Sequence, residues 1–239
     1  MGYIDIHSHI LPQLDDGSQS MEQSLEMLRI AEAEGIAVMF ATPHYKSGRF
    51  RADSKEVSRT LQKLQKAAAE EGLEIQLYPG TEIYYRSELE EKLDNAELHT
   101  MNGSNYVLVE FSPLEDYSYI RNAMDDILSI GYQPILAHVE RYQCMLKDKK
   151  RVLELRDMGC GIQANAASIT GDFGFTAKHF LWKLLKEELI DYIGTDAHNA
   201  QKRRPAMKKC ASLLYKKCDR EYADALLYGN AQHDFLEMD

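Results

Sequence analysis

The chain has 239 residues, of which 44% are hydrophobic and 28% charged, and its formal net charge is −10. This balance suits one globular domain over 1–239 and excludes disordered and collagen-like classes, while the acidity argues against a nonspecific nucleic-acid binder, which needs a basic surface. No apolar run has membrane-spanning length, MGYIDIHSH lacks the basic start and apolar core of a signal peptide, and Cys144, Cys160, Cys210 and Cys218 lie scattered without C-x-x-C. A cytoplasmic chain with reduced thiols, no thiolate metal site and no membrane insertion is therefore expected.

Short apolar or β-branched runs alternate with amphipathic stretches along the whole chain. The first run is YIDIH, where alternation puts Asp5, His7 and His9 on one face and Ile4, Ile6 and Ser8 on the other. Taken alone, the two imidazoles are explained as well by ordinary hydrogen bonding as by a metal. Ser20 and Gln23 suggest a capping box for a helix carrying Leu25 and Leu28, with Gly35 as its stop. AVMFATPH is the second strand. Lys46, Arg49 and Arg51 follow it, and read as solvated charge unless position says otherwise.

Asp53 and Glu56 open a second helix, which buries Val57, Leu61 and Leu64 and ends at Gly72. EIQLYPGTE, YVLVEFS, QPILAHVE, GIQANAAS and DYIGTDAH bring the strands to seven. Later helical stripes comprise Ile120, Met124, Ile127 and Leu128 before Gly131, Val152 and Leu155 before Gly159, and Phe180, Leu181, Leu184 and Leu185 after a cap at Thr176. From Asn199 onward the chain reads as closing helices. Repeated βα units imply a parallel sheet, but periodicity does not choose between a closed barrel and an open doubly wound sheet.

The placement of metal-capable side chains singles out one region. His7 and His9 end the first strand, His44 the second, Glu82 the third, Glu110 the fourth, His138 the fifth, and Asp196 with His198 the seventh. In a parallel barrel these strand ends converge on one face. His99, His179 and His233 fall in loops or helices and read as surface residues. Imidazole and carboxylate donors without thiolates suit manganese, iron, zinc or magnesium rather than a structural zinc site. Asp15 and Asp16, in LPQLDDGS, are a turn by default and extra carboxylates if that turn faces the cluster.

So many donors imply more than one ion. Clustered metals activate water and hold both oxygens of an in-line displacement, so phosphate esters are the expected substrates. Arg141 in AHVER and Arg203 in DAHNAQKRR lie in loops on the same face, where each would bind phosphoryl oxygens or else stand in a simple salt bridge.

IDIHSHILPQLDDGS, ATPH, GTEIYY, LVEFS, AHVERY and TDAHN together resemble the polymerase and histidinol phosphatase (PHP) superfamily. Within it they resemble the bacterial manganese-dependent protein-tyrosine phosphatases associated with capsule or exopolysaccharide tyrosine kinases. The resemblance covers almost the whole chain and implies an α/β fold, a distorted (β/α)7 TIM-like barrel holding three divalent ions, manganese first. It carries His7, His9, Glu82 and Asp196 to one ion, Glu82, Glu110 and His138 to a second, and Asp16, His44 and His198 to the third. It makes Arg141 and Arg203 phosphate-binding residues, with His44 beside them in the catalytic set; Arg204 is adjacent in QKRRP and could take the role given to Arg203.

The expected reaction is attack on phosphotyrosine by a metal-activated hydroxide with no covalent phosphoenzyme, on a partner such as a tyrosine kinase with a Tyr-rich tail. Tyr45, Phe50, Tyr84 and Tyr85 are expected near the mouth, flanking the substrate ring, with Lys46 and Arg49 reaching an acidic peptide. A cysteine-based route is not expected, because CMLKDKKR, from Cys144 to Arg151, has the wrong spacing for an anion-binding loop. The alternatives are a small-molecule phosphatase such as one acting on histidinol phosphate, and a catalytically silent binding module. A related amidohydrolase is disfavoured by Glu110, which stands where that fold usually presents a lysine.

Overall fold

Two of the seven strand candidates are interrupted, and the interruptions shape the sheet. In the computed structural model, which describes residues 2–237, AVMFATPH divides at Thr42 and Pro43 into β2 (Ile36–Ala41) and β3 (His44–Tyr45). EIQLYPGTE divides at Gly80 into β4 (Gln76–Pro79) and β5 (Glu82–Tyr84). Pro43 has no N–H to donate to a ladder, which favours a break there. The remaining strands are β1 (Tyr3–Ser8), β6 (Tyr106–Glu110), β7 (Gln133–Leu136), β8 (Gly161–Asn165) and β9 (Tyr192–Gly194).

These strands pair in parallel, in the orders β1-β2-β4 and β3-β5-β6-β7-β8-β9. Past its break each divided stave resumes beside the same neighbour, so that His44 pairs with Glu82. The seam closes beyond β9, where His9 N donates to Ala197 O at 2.8 Å and Asp196 N donates to His7 O at 2.8 Å. Seven staves thus form a distorted barrel, which decides against the open doubly wound sheet.

The helices are α1 (Met21–Ala33), α2 (Ser54–Glu70), α3 (Leu89–Asp94), α4 (Tyr117–Ser129), α5 (Gln143–Lys147), α6 (Lys150–Asp157), α7 (Ala166–Thr170), α8 (Phe175–Leu185), α9 (Lys208–Lys217), α10 (Arg220–Asp224) and α11 (Asn230–Phe235). Ser20 accepts the Gln23 N–H at 3.2 Å and Asp53 accepts the Glu56 N–H at 2.8 Å, each satisfying a first-turn donor. Thr176 is not a cap: it lies inside α8, which starts after Gly174 without a side-chain bond. Leu28, Leu64, Ile127, Leu155 and Leu184 bury the helices' apolar faces in the main core, with Val107, Val109 and Ile162 from the strands.

Phe235 of α11 meets Phe40, Tyr106 and Tyr192 at ring distances of 5.4, 5.3 and 5.3 Å. Those rings come from β2, β6 and β9, which are not neighbours, so Phe235 stands near the barrel axis. Tyr106 and Tyr192 are the first residues of their strands, and α11 therefore plugs the N-terminal mouth. The C-terminal mouth is left for chemistry. Among the described residues no helix is long and apolar enough to cross a membrane, and all four cysteines are free.

Candidate metal centre

His7 and His9 reach the C-terminal mouth from the end of β1, and two glycines make room for them. A Cβ on Gly194 would stand 2.6 Å from the Cβ of His7, and one on Gly17 would stand 2.2 Å from the carbonyl oxygen of His9. His7 Nε2 and His9 Nε2 lie 3.2 Å apart and each is 3.2 Å from Glu82 Oε2. Asp196 Oδ1 stands 3.7 Å from His7 Nε2 and 3.4 Å from His9 Nε2. Donors about 2.1 Å from a common centre are separated by about 3.0–3.4 Å in tetrahedral or cis-octahedral arrangement, so His7, His9 and Glu82 fit one divalent ion, with Asp196 close beside them. Glu82 Oε2 and Asp196 Oδ1 are buried yet receive no hydrogen bond of good geometry, which a cation between the donors would resolve.

The other carboxylates extend the cluster. Glu82 Oε1 is 2.8 Å from His138 Nε2, which is 3.7 Å from Glu110 Oε2. His44 presents Nδ1 to Glu82 Oε2 at 2.9 Å and to Glu110 Oε1 at 3.1 Å, while its Nε2 lies 3.6 Å from Asp16 Oδ1. Asp16 Oδ1 is also 3.7 Å from His198 Nε2. The structure thus brings all nine predicted ligands together, with His44 between two donor groups. His138 and Asp196 have φ of 37° and 54°, left-handed values that break strand alternation at these positions. Such backbone costs about 1–3 kcal/mol per residue and persists where the surroundings enforce it.

A second layer sets the imidazole tautomers. His9 Nδ1 is 2.7 Å from Asp15 Oδ2, His7 Nδ1 is 3.2 Å from Gln163 Oε1, and His198 Nδ1 is 3.0 Å from the Asp196 carbonyl. An acceptor at Nδ1 places the proton there and leaves the Nε2 lone pair for a metal. Asp15 also accepts the N–H of His44 and of Gly17, both at 2.8 Å. It is therefore more than a turn residue. Gln163 passes its amide to Asn165 Oδ1 at 2.9 Å, and Asn165 Nδ2 donates to Asp196 Oδ2 at 2.9 Å. Both amides are taken up by these hydrogen bonds and lie outside the imidazole and carboxylate set, so donor type alone passes over them; the available signal is polar residues on one face of GIQAN.

Burial pushes the Glu82 and Asp196 carboxyls up, but neighbouring charges, His7 and His44 for Glu82 and Arg141 and His7 for Asp196, hold both well below the usual range. Burial opposes charge on His44 as well, yet Glu82 raises it to about 10. Carboxylates that draw protons onto imidazoles draw divalent cations by the same field, and the two compete.

The guanidiniums of Arg141 and Arg203 both rest on Asp196, Arg203 with Nη2 2.7 Å from Oδ1, and each side chain is about one-third exposed. Arg204 does not join them, because it turns to Glu34 at 3.5 Å. At the mouth Phe50 lies parallel to the His44 ring at 5.7 Å, Arg49 covers Phe50, and Lys46 Nζ sits 3.8 Å above the Tyr84 ring.

Two aromatic expectations are corrected. Tyr45 follows His44 in an extended strand and so points the opposite way, into the core beside α3, with Lys92 over its ring. Tyr85 is buried, its hydroxyl on Asp126. His99 is half-buried rather than on the surface, between Ser58 Oγ and Ser54 O, both at 2.9 Å. Cys144 forms no anion loop: burial pushes its thiol up, and Arg151 is spent on the Cys144 carbonyl at 2.9 Å.

The family model for capsular polysaccharide synthesis, CpsB/CapC, matches residues 3–236. The chain belongs to the CpsB/CapC family. It is 33% identical over 240 residues to the tyrosine-protein phosphatase CpsB of Streptococcus pneumoniae, covering 98% of this chain and 99% of that one. To the tyrosine-protein phosphatase YwqE of Bacillus subtilis it is 32% identical over 218 residues, 91% and 86% of the two chains. A crystal structure from work on YwqE and CpsB, described as unique metal-dependent tyrosine phosphatases, superposes with a TM-score of 0.87 at 31% identity, covering 92% of this chain and 89% of that one. A histidinol phosphate phosphatase from Lactococcus lactis, at 15% identity and a TM-score of 0.61, shares the fold with this CpsB/CapC member.

Proposed function

We propose that this protein is a metal-dependent protein-tyrosine phosphatase of capsule or exopolysaccharide synthesis, built as a single domain over 1–239. The observation that carries the reading is the quartet of His7, His9, Glu82 and Asp196 donors with two guanidiniums beside it. Three divalent ions, manganese first, would be held by His7, His9, Glu82 and Asp196, by Glu82, Glu110 and His138, and by Asp16, His44 and His198. Ions there would lower the pKa of a bound water and neutralise charge on the transferring phosphoryl group.

The chain's own residues do the rest. Asp15, Gln163 and the Asp196 carbonyl hold three imidazoles in one tautomer, and Asn165 fixes the Asp196 carboxylate. Arg141 and Arg203 bind non-bridging phosphoryl oxygens and orient the ester for in-line attack. A tyrosinate leaving group, with a pKa of about 10, departs without a strong acid from the chain. Phe50 and Tyr84, with Lys46 and Arg49, border the path of an incoming peptide. The substrate is a phosphotyrosine protein in the cytoplasm, such as a tyrosine kinase with a Tyr-rich tail; the relatives' names and the family's link to capsule synthesis support this assignment.

The test combines metal analysis with turnover of a phosphotyrosine peptide and of histidinol phosphate. The peptide should be the better substrate, a chelator should abolish turnover, and manganese should restore it. Full activity after complete metal removal would overturn the metal assignment, and a preference for histidinol phosphate would overturn the substrate assignment.

A further inference from the structure

Behind Arg203 lies a cavity of about 520 Å³ that the proposed chemistry does not use. Thr195 and Arg203 form its wall toward the metal centre: Thr195 precedes Asp196, and Arg203 Nη2 is 2.7 Å from Asp196 Oδ1. The cavity and the donor cluster therefore share a partition. The lining carries five cations, Lys202, Arg203, Arg204, Lys208 and Lys209, against two carboxylates, Glu34 and Asp172, in a chain of net charge −10.

Both carboxylates are already engaged. Glu34 accepts the Lys208 N–H at 2.9 Å and lies 3.5 Å from Arg204, while Asp172 is 3.1 Å from Lys209 Nζ. Among the described residues Lys202 and Lys208 have no carboxylate within ion-pair distance of their ammonium groups. Phe173, also in the lining, is 49% exposed and adds an apolar surface. Scattered surface lysines need neither a concave site nor a wall shared with a reaction centre.

We propose that this cavity is a specificity subsite for the Asp or Glu side chains that flank the target phosphotyrosine. The inference rests on the phosphotyrosine reading above and adds which peptides are preferred. Arg203 belongs both to the proposed phosphate contact and to the cavity lining, and an extended peptide advances about 3.3 Å per residue, so the proposal requires the opening to lie within reach of the residues one to three positions from the phosphotyrosine. Its volume lies within the range of ordinary ligand pockets, about 300–1,000 Å³. The positive basin also draws an acidic segment toward the one region of an acidic protein where it can be turned over.

The test uses the metal-loaded enzyme and the double variant Lys202→Glu with Lys208→Glu, which alters exposed side chains outside the donor cluster. Three substrates are compared: p-nitrophenyl phosphate, a phosphotyrosine peptide flanked by Asp and Glu, and the same peptide with Asn and Gln. The unmodified enzyme should favour the acidic peptide by about tenfold in kcat/KM, a sum of several screened charge contacts. The variant should lose that preference through KM, with kcat and p-nitrophenyl phosphate turnover unchanged, and salt should erode the preference in the unmodified enzyme. Equal turnover of both peptides by the unmodified enzyme, an undiminished preference in the variant, or an equal loss on all three substrates overturns the subsite. Failure of the unmodified enzyme on all three substrates overturns the phosphatase reading itself, which separates the two failures.

Discussion

Replacing Asp15 with alanine should weaken metal binding about a hundredfold while leaving every proposed ligand in place. Asp15 Oδ2 accepts from His9 Nδ1 at 2.7 Å and from His44 N at 2.8 Å, and Oδ1 accepts from Gly17 N at 2.8 Å. Without it the His9 ring is free to carry its proton on Nε2, where it would point at Glu82 and block the lone pair. A hydrogen bond to a charged group contributes about 1.5–3 kcal/mol, and a hundredfold change is about 2.7 kcal/mol, so one lost bond accounts for the effect.

Asparagine separates geometry from charge. With its oxygen turned to His9 and His44 it keeps both bonds and loses the Gly17 bond and the negative charge, so the expected loss is about tenfold, or about 1.4 kcal/mol. The assay is calorimetric metal titration of the stripped protein, with thermal melting in chelator to register the folding cost separately. An alanine variant that binds metal within twofold of the unmodified protein would refute the tautomer argument. So would an asparagine variant weaker than alanine.

Arg203→Ala should lower kcat/KM on a phosphotyrosine peptide about a hundredfold, the loss of one charge-assisted contact to phosphoryl oxygens, whereas Arg204→Ala should stay within about twofold; steady-state kinetics on both variants checks the assignment. Cys144→Ser should leave turnover unchanged, and a large drop in single-turnover rate would revive a thiol route. Burial holds His99 below its ordinary 6.5, so the unfolded chain binds a proton that the folded chain resists. Its contribution is full above about pH 6.5 and is lost as pH falls through the lower folded value, so His99→Gln should flatten the decline in Tm between about pH 7 and 5. An unaltered slope would show that His99 takes no part in it.

The fold was legible where the code is local. The helix stripes at Leu25, Leu28, Leu61, Leu64, Ile120, Met124 and Ile127 are buried, because a 3.6-residue period states which face meets the sheet. Barrel closure was not legible. It depends on His9 N and Asp196 N finding carbonyls about 190 residues away, and no window of sequence contains both partners. The division of two staves lay between these cases: Pro43 and Gly80 are visible punctuation, but only the His44–Glu82 pairing shows that each stave resumes beyond them.

The site divides along a different line. Candidate metal donors declare themselves by residue type, and a shared strand-end position then explains why six distant strands bring them together. Orienting groups declare themselves only by being in the wrong place. β8 has Ile162 and Ala164 in the apolar core, and a strand buried on both faces should be apolar at every position. Gln163 and Asn165 violate that rule, both nearly inaccessible to solvent. A buried amide without partners costs about 1–3 kcal/mol, so two in succession on one face require acceptors and donors inside the barrel. The structure supplies them as His7, the His138 N–H and Asp196, which makes β8 the stave that holds the proposed ligands still instead of providing any.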